Sequence, residues 1–227
     1  MKKGTILLTG LLFLNGMVQA QGTIVRIEKD NAREIKGELV KGKRIPASGT
    51  TYLFEDWKRG RLVFSDGTSM EMSELKYDLF TQDLYYQQGG NLFLVNRPVK
   101  EFHIHANDTI RIFRNGYPGQ GKLPQQQYYE VLYDDGQWQL LKLTRKTVEE
   151  QDQFQVGTQL VYVDLERFYL YGKAASRWIP VSRDSHSFQP FYAGKEKQVQ
   201  GYTNEKGRKF SNEREMVAFM QLVHDLK

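Results

Sequence analysis

The sequence predicts a mainly β protein, an antiparallel meander forming a curved sheet, open barrel or sandwich, with C-terminal α-helices. Three observations predict it. From Thr23 to about Val181, apolar residues alternate at period two between turn-forming Gly, Asn and Asp, the pattern of consecutive antiparallel strands. The chain carries 13 Tyr, 13 Phe and 3 Trp, residues that suit a half-buried pleated surface. After Pro180 the apolar period changes from that of a strand to that of a helix.

The hairpins follow from their turns. At Ser65-Asp66-Gly67, a three-residue loop pairs Phe64 with Thr68 and Leu62 with Met70, so that Leu62, Phe64, Met70 and Met72 share one face. A two-residue Asp-Gly loop would set Leu62 against Glu71. The alternation therefore selects a type I turn with Gly67 in the left-handed conformation. At Gly89-Gly90, a two-residue loop pairs Tyr86 with Phe93 and Leu84 with Val95. A two-residue loop at Asp135-Gly136 likewise places Val131 and Tyr133 beside Leu140 and Trp138. Further strands are expected over 23–29, 34–40, 50–54, 75–80, 99–105, 109–114, 159–163, 168–172 and 177–181. The interval 115–127 is rich in turn formers and reads as a long loop between two halves of the sheet.

In the tail, Met216, Phe219, Met220 and Val223 recur at helical spacing, widened by Val217, Leu222 and Leu226. Asn212 with Glu215 three residues on is a variant of the capping box, which places a helix over 211–226. A second helix is expected over 195–206, with Gly201 inside it and Gly207 ending it. The helical stripe is expected to pack on the sheet or across its open edge.

The N-terminus predicts export. Met1-Lys2-Lys3 gives a positive start, residues 6–18 are mostly apolar, and Val18-Gln19-Ala20 fits a signal-peptidase site. The apolar run is too short to remain as a membrane anchor, and Asn15-Gly16 interrupts it. This divides the chain into a signal peptide (1–20), an antiparallel β domain (21–181) and a C-terminal helical segment (182–227). The expected location is periplasmic or secreted, with association at the outer membrane as one form of it.

Composition removes several classes of function. With no Cys, thiol catalysis, disulfide exchange and cysteine-ligated zinc are excluded, and the fold rests on its own core. The net charge of +5 falls to +3 without Lys2 and Lys3. Its basic clusters at 41–44, 58–61 and 207–209 lie beside turn residues, as solvated loops do, so no nucleic-acid partner is expected.

Candidate chemistry is sparse. His103 and His105 alternate with Phe102 and Ile104, so both imidazoles face the same side and could chelate zinc or copper given a third ligand. Trp57, Tyr85, Tyr86 and Trp138, with Trp178, could form a stacking platform for a glycan or line a hydrophobic site; sheet packing is the competing reading. Thr109, within Asp108-Thr109-Ile110, resembles the short O-glycosylation acceptor of Bacteroidota. Asp184-Ser185-His186 holds the residue types of a hydrolytic triad, but adjacent side chains diverge, and helix initiation explains them better. Residues 116–121 look like a phosphate loop but lack a following helix to receive the anion. Glu149 and Glu150 read as part of a hydrophilic connector. No cofactor is expected, and catalysis has no motif to carry it.

The tail also carries a family likeness. The runs from Phe188 to Tyr192 and from Lys195 to Tyr202, then Asn204 to Lys206 and the closing helix, resemble the ending of many signal-peptide-bearing envelope proteins of Bacteroidota. Those proteins also have segments similar to Gly49 to Phe54, Gly60 to Gly67 and Leu75 to Phe80. The resemblance implies a β-rich periplasmic or outer-membrane-associated protein and brings no catalytic residue with it. The expected function is binding or assembly in the cell envelope with a protein partner. The alternatives are a carrier of a hydrophobic ligand in an open barrel, and a hydrolase or glycan-binding protein.

Overall fold

In the computed structural model, the described residues are 32–34, 47–118, 127–153, 157–203 and 208–226. The signal peptide expected over 1–20, the strand expected over 23–29, nearly all of that over 34–40, and the centre of the 115–127 loop lie outside them.

Eleven strands form one antiparallel sheet: β1 (Ala32–Glu34), β2 (Lys58–Phe64), β3 (Ser69–Tyr77), β4 (Leu84–Gln88), β5 (Asn91–Val95), β6 (Val99–Ala106), β7 (Thr109–Arg114), β8 (Tyr129–Asp134), β9 (Trp138–Gln153), β10 (Gly157–Gly172) and β11 (Arg177–Val181). The order is β1-β5-β4-β3-β2-β6-β7-β8-β9-β10-β11. Two meanders are thus joined where β6 returns to pair with β2.

That return dictates curvature. Only three residues separate Val95 from Val99, yet β4, β3 and β2 lie between β5 and β6. A flat sheet would set those strands about 19 Å apart, whereas the connector reaches at most about 14 Å. The sheet must curl. Accordingly, the ring of Tyr77 on β3 lies 5.6 Å from that of Phe113 on β7. Past the end of β3, the Leu79 carbonyl accepts a hydrogen bond from the Lys146 amide of β9 (3.0 Å). That single bond spans the gap without a ladder, so the curl stops short of a closed barrel.

Two of the three turns form as the alternation requires. Phe64 pairs with Thr68 through its amide (2.9 Å), Leu62 faces Met70, and Gly67 has φ +84°. At the β4–β5 tip, Gln88 faces Asn91 with Gly89 and Gly90 both at positive φ, and Tyr86 faces Phe93.

The third departs from expectation. Tyr133 faces Leu140 and Asp134 faces Gln139, so the β8–β9 loop is wider than two residues. The Asp135 carboxylate accepts the amides of Gln137 (2.9 Å) and Trp138 (2.6 Å), which holds the turn open. A bulge between Val131 and Tyr133 then sends these two side chains into separate clusters on opposite faces.

Strand lengths differ for equally local reasons. Segment 50–54 makes an isolated bridge, Tyr52 to Asp78, in place of a strand. Strand β3 ends at Tyr77 because the Asp78 carboxylate turns back to the amides of Phe80 and Thr81 (2.8 and 3.1 Å). The expected strands at 159–163 and 168–172 are one, and Glu149 and Glu150 belong to its partner β9. Acidic side chains on these strands are neutralised across the pair, as Asp164 is by Lys146 (3.0 Å), so polarity does not end the ladder.

Cross-strand register traces one inner face through Phe102, Phe113, Glu130, Lys142, Phe168 and Val181. Its curled half is filled by Leu62, Phe64, Leu75, Tyr77, Phe102 and Ile104 with their neighbours. Its other half is covered by α1 (Glu196–Thr203) and α2 (Glu213–Asp225), whose Met216, Phe219, Met220 and Val223 pack with Leu140, Phe168 and Leu170. Asn212 caps α2 by accepting the Glu215 amide (3.1 Å), as the capping box requires. Lys195 Nζ closes the other end of α2 on the carbonyls of Val223 and Leu226 (2.9 and 2.7 Å). On the outer face, Tyr117, Tyr129, Leu141, Leu143, Tyr169 and Tyr171 form a third cluster with Trp178.

Candidate functional site

Between the two apolar halves of the inner face runs a charged band. Arg111 on β7 grips Glu130 on β8 in a bidentate pair (2.6 and 2.5 Å). Lys142 on β9 reaches Glu166 on β10 (2.5 Å) and Glu213 at the start of α2 (2.6 Å), and Arg183 bridges to Glu166 (3.3 Å). Burial alone would pull the Lys142 ammonium down; hydrogen bonds to Glu166 and Glu213 outweigh it and hold the group above the usual lysine value. Arg111 behaves the same way through Glu130. Both cations are thus fixed in the charged state, which suits anchoring and opposes proton exchange near neutral pH.

Beside this band the sheet steps down. Strand β11 pairs with β10 from Gly172 to Phe168 and ends at Val181, while β10 continues to Gly157. The step forms a groove of about 550 Å³ lined by Glu166, Arg167, Phe168, Tyr169, Pro180, Val181, Ser182 and Arg183. Backbone groups of even-numbered β10 residues point to this edge. The Leu160 carbonyl and Tyr162 amide there bond Ser48 (2.8 and 3.0 Å), and Phe168 opposes Val181. Between them, Asp164 and Glu166 have no backbone partner at this edge among the described residues. Strand β11 differs: Pro180, opposite Tyr169, removes an outward donor and blunts that edge.

The residues singled out by sequence are dispersed. His103 and His105 do share the outer face of β6, but His103 Nε2 is held by Glu101 Oε1 (2.7 Å), and no cluster of three metal-ligating side chains occurs among the described residues. Trp57 lies under the Lys76 ammonium (4.9 Å), which also covers Tyr52; Tyr52 in turn meets Tyr85 edge-on (6.3 Å). Tyr86 instead stacks on Phe93 (5.1 Å) inside the curled core, and Trp138 packs against Phe191 (6.2 Å) under the helical tail. No single platform results. A separate ring cluster joins Trp178 to Tyr117, Tyr129, Tyr169 and Tyr171 at 5.0–5.6 Å. The i, i+2 spacing of Tyr169 and Tyr171 was its signal in the sequence.

Thr109 sits exposed at the β6–β7 tip, its hydroxyl donating to the Ala106 carbonyl (2.9 Å). Asp184 caps the 3-10 turn Ser185–Phe188 through the His186 amide (2.9 Å), the helix-initiating role expected of it.

Several carboxylates on the surface network are held low. Asp66 accepts the hydroxyl and amide of Thr68 and is paired with Arg97, which brings it from 3.8 to about 2. Burial pushes Glu101 up, but hydrogen bonds from His103 and Arg114 win and hold it below 4.5; Lys173 and Gln139 do the same for Asp134. Each therefore adds stability above its ordinary value and loses it as pH falls toward its value in the fold. The urea midpoint is expected to fall steadily between about pH 4.5 and pH 2. A flat profile across that window would contradict these pairings.

The chain matches no protein-family model, no curated protein and no solved structure. Among the described residues, no helix is long and apolar enough to cross a membrane.

Proposed function

We propose that this protein is an exported component of the bacterial cell envelope, of the kind its tail resembles in Bacteroidota. In this reading it acts by binding or assembly without catalysis, and it meets a protein partner along the open edge of β10. The observation that carries the proposal is the step at Val181, where backbone groups of Asp164 and Glu166 that have no partner among the described residues adjoin a groove. Such an edge is a template for an added strand. The leader-like N-terminus supports export. A carrier would need room on the inner face, but Phe188, Met216, Phe219 and Met220 fill it beneath the tail. The ion-paired band argues against an acid-base enzyme, because its cations are stabilised in one protonation state.

Proline at position 164 tests the edge. The Asp164 amide is outside the β9–β10 ladder, so Asp164→Pro removes a donor at the step and no bond within the sheet. Asp164→Ala removes the same carboxylate and keeps the amide. Native mass spectrometry of tagged protein drawn from its own envelope is expected to find a fixed protein partner with wild type and Asp164→Ala, and to lose it with Asp164→Pro. Retention by Asp164→Pro, one bound lipid per chain, or a bare monomer would each overturn the proposal.

A further inference from the structure

Side chains around the step indicate what kind of strand it would accept. On the outer face of β10, Arg167 is exposed, lines the groove, and has no acidic partner among the described residues. It stands between Leu165 and Tyr169, its neighbours two residues away on the same face, and Pro180 lies opposite Tyr169. The inner side differs, because Asp164 and Glu166 are already neutralised by Lys146, Lys142 and Arg183. A strand added at this edge therefore meets Arg167, with Arg145 opposite Leu165 one strand further in, beside apolar surface on one face, and a charge-balanced surface on the other.

We infer that the step binds an extended segment of a partner protein with the pattern apolar, any residue, acidic, any residue, apolar. Its backbone bonds the outward groups of Asp164 and Glu166, which sets its central residue opposite Leu165, from where the carboxylate reaches Arg167 diagonally and the flanking apolar residues lie opposite Val163 and beside Pro180. This rests on the edge-binding reading above and deepens it. The edge supplies a rung at each of two alternate residues, and the span from Tyr162 to Phe168 is about 20 Å, room for a short strand and no more. Main-chain bonds give such a contact its affinity, and alternate side chains give its selectivity.

The probe is the blocked pentapeptide acetyl-Val-Thr-Glu-Thr-Val-amide, titrated into the whole protein and followed by amide NMR. Binding is expected to slow hydrogen exchange at the amides of Asp164 and Glu166. Methylating the peptide nitrogens that face β10 is expected to abolish binding. Arg167→Glu is expected to weaken the Glu peptide at least about tenfold, the scale of one charge-assisted hydrogen bond, and to favour a peptide with Lys in its place. No binding at millimolar peptide, binding without protection at these two amides, or indifference to Arg167→Glu would each overturn the inference. A partner protein that depends on the Asp164 amide while the pentapeptide fails would leave edge binding standing and remove this pattern alone.

Discussion

Replacing Phe102 by alanine is expected to cost about 3–5 kcal/mol of unfolding free energy, the range for emptying a fully enclosed aromatic site. Phe102 has no exposed surface, and its ring stands 4.7 Å from Phe113, 4.9 Å from Tyr128 and 5.0 Å from Tyr77. Those contacts come from β7, the approach to β8, and β3, so one side chain ties together strands that only the curl brings close. The surrounding rings cannot collapse into the void without opening that curl. Urea unfolding measures the loss through the midpoint at constant slope. A cost under about 1 kcal/mol would mean that the curled half is not packed around this ring.

The second large effect is electrostatic. Arg111→Ala is expected to destabilise by about 3 kcal/mol, because it strands the Glu130 carboxylate in a buried position. Only 7% of the Glu130 side chain is exposed, whereas Arg111 keeps 23%, which places the cost at the lower end of the range for breaking a buried pair. Replacing both together, Arg111→Met with Glu130→Leu, is expected to return stability to within about 1 kcal/mol of wild type. A double-mutant cycle by urea denaturation distinguishes the two cases. Additive losses would show that the pair does not act as a unit.

The parts of the fold legible in the sequence are those where local chemistry and side-chain alternation agree. The turns at Gly67 and Gly89-Gly90 set register by themselves, and the stripe from Met216 to Val223 could bury itself only as a helix. The Asp135 turn departs from the two-residue loop that the sequence predicts because its width depends on side-chain bonds to amides beyond Gly136. The bulge at Leu132 reverses the expected facing of Val131, because one inserted residue moves the side chains before it to the other face. Strands β9 and β10 run longer than the sequence predicts, since charged residues on a strand look like a connector until their cross-strand partners are known.

The site was less legible still. Its main feature is a difference in length between β10 and β11, and a step of that kind belongs to the pairing of strands, with no residue type to announce it. Arg167 looks like any surface arginine in the sequence. Strand alternation puts the acids Asp164 and Glu166 on the inner face and Arg167 on the outer one, which leaves it without a counter-ion among the described residues at the groove.

The three-residue tether between Val95 and Val99 also constrains the order of assembly. So short a leash cannot carry β6 around an unrolled β2–β5 ribbon, so the first four hairpin strands must bend before the rest of the chain can add. Everything C-terminal to Pro98 is then templated by a shape made earlier. Because a chain is synthesised from its N-terminus, that sequence of events matches the order in which the segments are made.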